Sequence, residues 1–396
     1  MESRGRYFSK FIWAWNLHSL ANLFWLFNFI NTKLLLQVTA SVIFIVYSFK
    51  YLNIRLKIGD SYNSGKYIVV LIFSLGALLV GSTNLLYEHY WGVLMYDIGG
   101  CAFVLGGLLF LDAQKSDISR LVRWYLLWNS AYILVFFQRF KLDFFFNSLS
   151  RTDILMEMAQ NSGQFSVYSV LSISLSLLPL MILISLEYRT NHKIWFAILM
   201  LVYAIFGLYY AKKNVIIELI VSFLVLAFNS NRSFVKKLGG AIIFGLSFFF
   251  LVRKYQELNF IKRYIDRFIV GINGRKTNDR VLELHDYFEG IDYQDLFIGL
   301  GFGEIAADTV GGFVLHIGFF NIVMKFGLFG VLVFTLFLAF RLIQLIVSKT
   351  KMRWFNLQVL SLFMLFLFLS PLWSWYINML YFSLMMFGLR PIDLKT

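Results

Sequence analysis

The chain has 396 residues, of which 59% are hydrophobic, 19% aromatic and only 15% charged, and its formal net charge is +14. A soluble domain carries about a quarter charged residues, so this composition excludes an ordinary water-soluble globule. The single cysteine, Cys101, lies in an apolar run and excludes an intrachain disulfide framework. In a chain this apolar, the positive charge is assigned to cationic loops beside anionic lipid headgroups, and nucleic acid is not expected as a partner.

A membrane span needs about 20 mostly apolar residues. Residues 11–30, 34–52, 67–86, 91–111, 122–138, 166–186, 194–210, 214–229, 238–252, 327–346, 354–371 and 374–389 approach this length. The expected fold is therefore all-α, a polytopic membrane protein with about 12 transmembrane helices. The basic stretch from Met1 to Lys10 runs directly into the first apolar segment with no small-residue cleavage site, so it is expected to remain as part of an uncleaved first helix.

Lysine and arginine set the orientation. With the N-terminus inside (Arg4, Arg6, Lys10), alternate loops and tails carry Lys50, Arg55, Lys57 and Lys66, then Lys115, Arg120 and Arg123, then Arg189 and Lys193. Arg232, Lys236 and Lys237 follow, then Arg341, Lys349, Lys351 and Arg353, and last Arg390 and Lys395. The short loops of the other side hold only Lys33, Arg139, Lys141, Arg151, Lys212 and Lys213, so the balance is 21 against 6. By the positive-inside rule both termini are expected to be cytoplasmic. Trp91, Trp124, Trp195, Trp354, Trp373 and Trp375 fall near span ends, where interfacial anchors belong.

The chain then divides into residues 1–252 with helices 1–9, a large outer loop at 253–326, and 327–396 with helices 10–12 and a short tail. The loop is the only extended polar region. In its first part Tyr255, Leu258, Ile261, Ile265 and Phe268 recur at helical spacing, with Lys262, Arg263, Asp266 and Arg267 filling much of the other side. This pattern suits an amphipathic helix on the membrane surface, or equally an ordinary helix of a small extramembrane domain.

The polar residues expected on the outer face are Lys212 and Lys213 between two spans, Arg275 and Arg280 after Gly271-Ile272-Asn273-Gly274, the glycine stretch Gly299, Gly301 and Gly303, and His316. Singly, each has a plain explanation: lysines at helix ends snorkel, and a lone histidine is usually a satisfied polar group. The glycines have no following Lys-Ser/Thr, which disfavours a P-loop, and they suit a tight backbone turn. Together they place two cationic points and a histidine on one side of the membrane. Cations there suit a diphosphate, Arg as a planar fork and Lys as a compact charge, and a histidine can take a proton from a hydroxyl. These are the parts needed to transfer a glycosyl group from a lipid diphosphate.

The order of these motifs resembles the O-antigen polymerase and O-antigen ligase family of integral-membrane glycosyltransferases. Ala211-Lys212-Lys213-Asn214 stands where the family has a basic residue before a span. Arg280-Val281-Leu282-Glu283-Leu284 matches its loop arginine followed by apolar residues. Gly299 to Gly303 matches its Gly-x-Gly-x-Gly, and His316 precedes Gly327 and Gly330 at the family's spacing. The resemblance covers about Phe206 to Arg341. Two departures are Ile317 after His316, where the family often has Asn, and lysine as the first cation.

The resemblance implies a glycosyltransferase-C-like helical fold in a bacterial inner membrane, with the site facing the periplasm. The implied substrates are undecaprenyl-diphosphate-linked oligosaccharides, with a chain-length regulator and a flippase as partners. In the expected reaction Arg280, with Lys212 or Lys213 and a further contact from Arg275, stabilises the leaving diphosphate, and His316 takes the proton from the attacking hydroxyl, inverting the anomeric centre. No carboxylate or histidine cluster has metal-ligand spacing, so neither metal nor other cofactor is expected. Polymerase is favoured over ligase. The rival from another class is a lipid-linked oligosaccharide transporter, for which Asp97 and Glu218 are the notable charges within spans.

Overall fold

The computed structural model describes residues 6–57, 102, 105–139, 162–210, 213–229, 288–289, 291–299, 318–347, 352–369, 380–381 and 384. All regular structure among them is helical. The helices are α1 (Arg6–Leu26), α2 (Ile30–Lys57), a 3₁₀ turn (Gly107–Asp112), α3 (Lys115–Arg139), α4 (Ser162–Ser176), α5 (Leu178–Glu187), α6 (Lys193–Tyr210), α7 (Lys213–Phe228), α8 (Tyr293–Ile298), α9 (Gly318–Val347) and α10 (Arg353–Leu369).

Three helical segments are long and apolar enough to cross a membrane: Ile30–Ile54, Ser169–Glu187 and Phe326–Val347. They differ in what surrounds them. The segment through α4 and α5 is 83% buried, whereas the other two are 22% and 17% buried. On α9 the exposed residues Phe329, Leu332, Leu336, Phe340, Ile343 and Val347 recur every three or four positions and form one apolar stripe. Such a surface is stable against hydrocarbon and costly in water. The remaining span candidates, 67–86 and 238–252 entirely and 91–111 and 374–389 largely, lie outside the described residues, as does the amphipathic segment 255–269.

The chain forms two compact units. The first comprises residues 1–20, 34–117 and 278–396. Its helices α1 and α2 meet the 3₁₀ turn through Phe8, Phe11, Phe44 and Phe110; Phe11 and Phe110 stack edge to face at 4.5 Å, the favourable geometry for two ring quadrupoles. Ser48 adds a buried hydrogen bond, its hydroxyl donating to the Leu105 carbonyl at 2.8 Å. In the same unit α9 packs on α8 and on α10.

The second unit comprises residues 21–33 and 118–277. There α7 packs against α4, α5 and α6. Helices α4 and α5 form one bent rod: Pro179 cannot donate to the ladder, and the helix breaks at Leu177. Gly207 allows α6 and α7 to approach closely, since a Cβ there would overlap the side chain of Val215. The turn Phe27–Phe29, with Asn28 at φ 63°, ends α1 four residues before the apolar run itself ends, because hydropathy does not register a turn built from phenylalanines. Lys33 lies buried over the Trp25 ring at 3.7 Å, a cation–π contact.

At the opposite end of α6 from Lys213, the α5–α6 turn lies beside the start of α3, where the Arg123 charge acts on His192. Partial burial and then Arg123 hold the His192 imidazole below its ordinary value of 6.5. The unfolded chain therefore binds more protons just below that pH, and stability falls as pH drops below 6.5 until the folded-state value is passed. His192→Gln removes this contribution. The gap between the thermal midpoints of the variant and the native protein in detergent micelles is expected to shift in the variant's favour from pH 8 to pH 5.

Candidate functional site

Of the residues that carry the outer-face chemistry in the sequence, Lys212, Arg275, Arg280, Gly301, Gly303 and His316 lie outside the described residues. Lys213, Gly299 and the helix that follows His316 lie within them.

Lys213 is the first residue of α7. The free backbone N–H groups of a helix start carry about half a positive charge, so a cation there costs about 0.3–1 kcal/mol instead of offsetting the dipole. Lys212 stands immediately before it. The start of α7, with a second lysine preceding it in sequence, is a positive helix end of the kind that suits an anion.

The second feature is a backbone clamp. Helix α8 ends at Ile298, and Gly299 follows with φ 86°. Gly327 interrupts α9 with φ 64° and ψ −173°, a region that only glycine adopts readily. A Cβ on Gly327 would overlap the Phe297 carbonyl and stand 2.6 Å from the Gly299 nitrogen. The two glycines are thus the point at which two backbones touch. Gly330 belongs to the same device: the bend brings Phe326 so close that a Cβ on Gly330 would overlap the phenylalanine Cβ. The segment from residue 300 to 326, which contains His316, has its two ends joined here. Helix α9 begins at Gly318, nine residues before the bend, whereas hydropathy placed the span start at 327.

A third feature is a buried polar network, of which Glu218 is the member already notable in the sequence. Deep in the second unit, the Tyr203 hydroxyl donates to Asn129 Oδ1, the Asn129 amide donates to the Tyr125 carbonyl at 2.8 Å, and the Tyr125 hydroxyl donates to the Ser174 carbonyl at 2.7 Å. Ser174 lies just before the Pro179 break, where helix carbonyls lose their usual donors. Glu218 on α7 is 6% exposed and within electrostatic reach of Tyr203, and Ser222 is buried one turn further on. His18 and Ser19 are likewise buried in α1, in the first unit. The only sequence signal for this core was polar residues, such as Asn129 and Glu218, inside apolar runs. Tyrosines and serines are common enough in spans to raise none.

Hydrogen bonds between helices in lipid contribute about 0.6 kcal/mol on average and at most about 1.7. Tyr203→Phe and Asn129→Leu are therefore expected to destabilise the protein, with a coupling in that range when the double variant is compared with the two singles. Reversible unfolding in mixed micelles measures it; additive effects would mean that the pair does not interact.

Among the described residues no group of three or more His, Cys, Asp or Glu side chains could hold a metal ion. Comparison with protein-family models, with curated proteins and with solved structures finds no match to this chain.

Proposed function

We propose that this protein is a multi-span inner-membrane glycosyltransferase that polymerises undecaprenyl-diphosphate-linked oligosaccharide units at the outer face of the membrane. About 12 spans of a glycosyltransferase-C-like bundle, both termini cytoplasmic, carry the site. The donor diphosphate sits against Lys212, Lys213, Arg275 and Arg280, whose charges oppose the negative charge that grows as the anomeric C–O bond breaks. His316 removes the proton from the attacking sugar hydroxyl, the new C–O bond forms on the opposite face, and the lipid diphosphate leaves. The anomeric centre inverts. Apolar surface beside the site receives the polyprenyl chains, and a chain-length regulator and a flippase are the partners.

The observation that best supports this reading is the contact between Gly299 and Gly327. It brings the first glycine of the Gly-x-Gly-x-Gly stretch against the helix that follows His316, two motifs that the resemblance assigns to one family pattern. Lys213 at the start of α7 adds an anion-favouring point.

A second reading is transport of the lipid-linked glycan. It draws on the buried Tyr203–Asn129 network with Glu218 nearby and on the bend at Pro179, since transporters place ionisable residues and broken helices within the bilayer.

One experiment separates the readings. Purified protein is incubated with its host's undecaprenyl-diphosphate oligosaccharide, and products are followed by mass spectrometry. A ladder of lengthened lipid-linked glycans is the expected result. Transfer only on addition of lipopolysaccharide core would identify a ligase. No new glycosidic bond, with movement of the lipid across reconstituted vesicles, would overturn the enzyme reading in favour of transport.

A further inference from the structure

The end of the second unit that carries His192 concentrates positive charge. Arg120 and Arg123 lie near the start of α3, Arg189 in the α5–α6 turn, and Lys193 opens α6. All four are exposed, and among the described residues none forms an ion pair. The Arg123 charge acts on His192, so the two segments are neighbours.

The turn itself is unusual. Thr190 N–H donates to the Ser185 carbonyl at 2.9 Å and Arg189 N–H to the Leu186 carbonyl at 3.1 Å, which closes α5 in a Schellman-type cap. Arg189 occupies the cap's left-handed position with φ 52°, where glycine is normally found. Buried Tyr188 and Thr190 grip the turn on both sides, and the hydroxyls of Thr190 and Ser185 are hydrogen-bonded. The chain thus accepts a strained backbone to hold a guanidinium outward. Favourable interaction with the end of α5 offsets part of that cost, but Lys or Arg anywhere in the last turn would supply the same.

An apolar stripe starts at this charge. Ile194, Ile198 and Leu201 are exposed along one face of α6 directly below Lys193, and the Trp195 indole is exposed beside them. An indole at this level is the usual marker of the headgroup region.

We propose that Arg120, Arg123, Arg189 and Lys193 bind the phosphate of an anionic phospholipid whose acyl chains lie along Ile194, Ile198 and Leu201. Arginine forks match the phosphate oxygens, and the stripe selects a lipid over a free phosphate. Nearby Glu187, on which the Arg189 charge also acts, leaves the cluster positive.

The test titrates phosphatidylglycerol into the purified full chain in neutral detergent micelles, reading the thermal midpoint and lipid adducts by native mass spectrometry. Phosphatidylcholine and soluble glycerol phosphate run in parallel. Variants are Arg123→Gln, Arg189→Gly and, as a cation elsewhere, Lys50→Gln. Arg189→Gly relieves the left-handed strain, so a weaker response cannot come from a damaged fold. The expected result is stabilisation by phosphatidylglycerol alone, weakened about fivefold by each of Arg123→Gln and Arg189→Gly and unchanged by Lys50→Gln. An equal response to phosphatidylcholine, an equal loss in Lys50→Gln, or unaltered binding in both site variants would overturn the proposal. An equivalent response to glycerol phosphate would overturn the lipid as the occupant.

Discussion

His316→Ala is expected to slow glycan elongation about 10²- to 10⁴-fold, the range supplied by a positioned general base. In the proposed reaction the loss falls on kcat, because there the histidine takes a proton that moves only as the new bond forms. In the proposed reaction Arg280 opposes the charge of the leaving diphosphate, so Arg280→Ala is expected to cost about 10²- to 10³-fold. Arg280→Lys keeps the charge but not the fork and should retain intermediate activity. Initial rates with purified protein and a defined lipid-linked donor measure all three. Either alanine variant working within threefold of the native rate would remove that residue from the mechanism.

Gly327→Ala carries the largest expected cost to the fold. Its backbone conformation alone penalises a side chain by about 1–3 kcal/mol. The overlap with the Phe297 carbonyl adds to this, because backbone, unlike the tip of a long side chain, cannot swing away. The expected outcome is a lower thermal midpoint in micelles and loss of elongation. Separation of α8 from α9 would release both ends of the segment that holds His316. Leu336→Ala, on the exposed stripe of α9, is the control and should change the midpoint little. A Gly327→Ala protein as stable and as active as the native one would mean that the clamp has no part in positioning the site.

Much of the helical framework was legible in the sequence. Residues 34–52, 122–138, 194–210, 214–229 and 354–371 coincide with α2, α3, α6, α7 and α10 to within a few residues at most ends. The discrepancies have specific causes. Residues 11–30 run past the true end of α1 because Phe27 and Phe29 are as apolar in a turn as in a helix, and Ile30 already opens α2. Residues 166–186 coincide with the single crossing segment Ser169–Glu187; the turn at Leu177 before Pro179 leaves no mark in hydropathy, because a proline lowers it very little. Residues 327–346 match the crossing segment Phe326–Val347, which starts at the Gly327 interruption of α9; the helical residues before it, from Gly318, include Asn321 and Lys325 and fall outside the apolar run. Of the candidate site, Gly327 and Gly330 stand out in the sequence by their spacing from His316. The partner of Gly327 does not, since nothing local to either glycine points to the other.

By itself, the sequence determined that this protein contains long apolar helices and carries a net positive charge. Length and hydrophobicity are properties of each segment alone, and the cost of exposing backbone to lipid leaves a helix as the solution for every apolar stretch of that kind. Only the tertiary structure decided that Phe297 and Gly299 touch Gly327, that Tyr203 bonds to Asn129, and that Arg123 lies beside His192. Each depends on how deep one helix sits against another and on which face turns inward. Those are set by the fit of side chains across the interface, where a missing Cβ or a single hydroxyl decides the contact and leaves hydropathy almost unchanged.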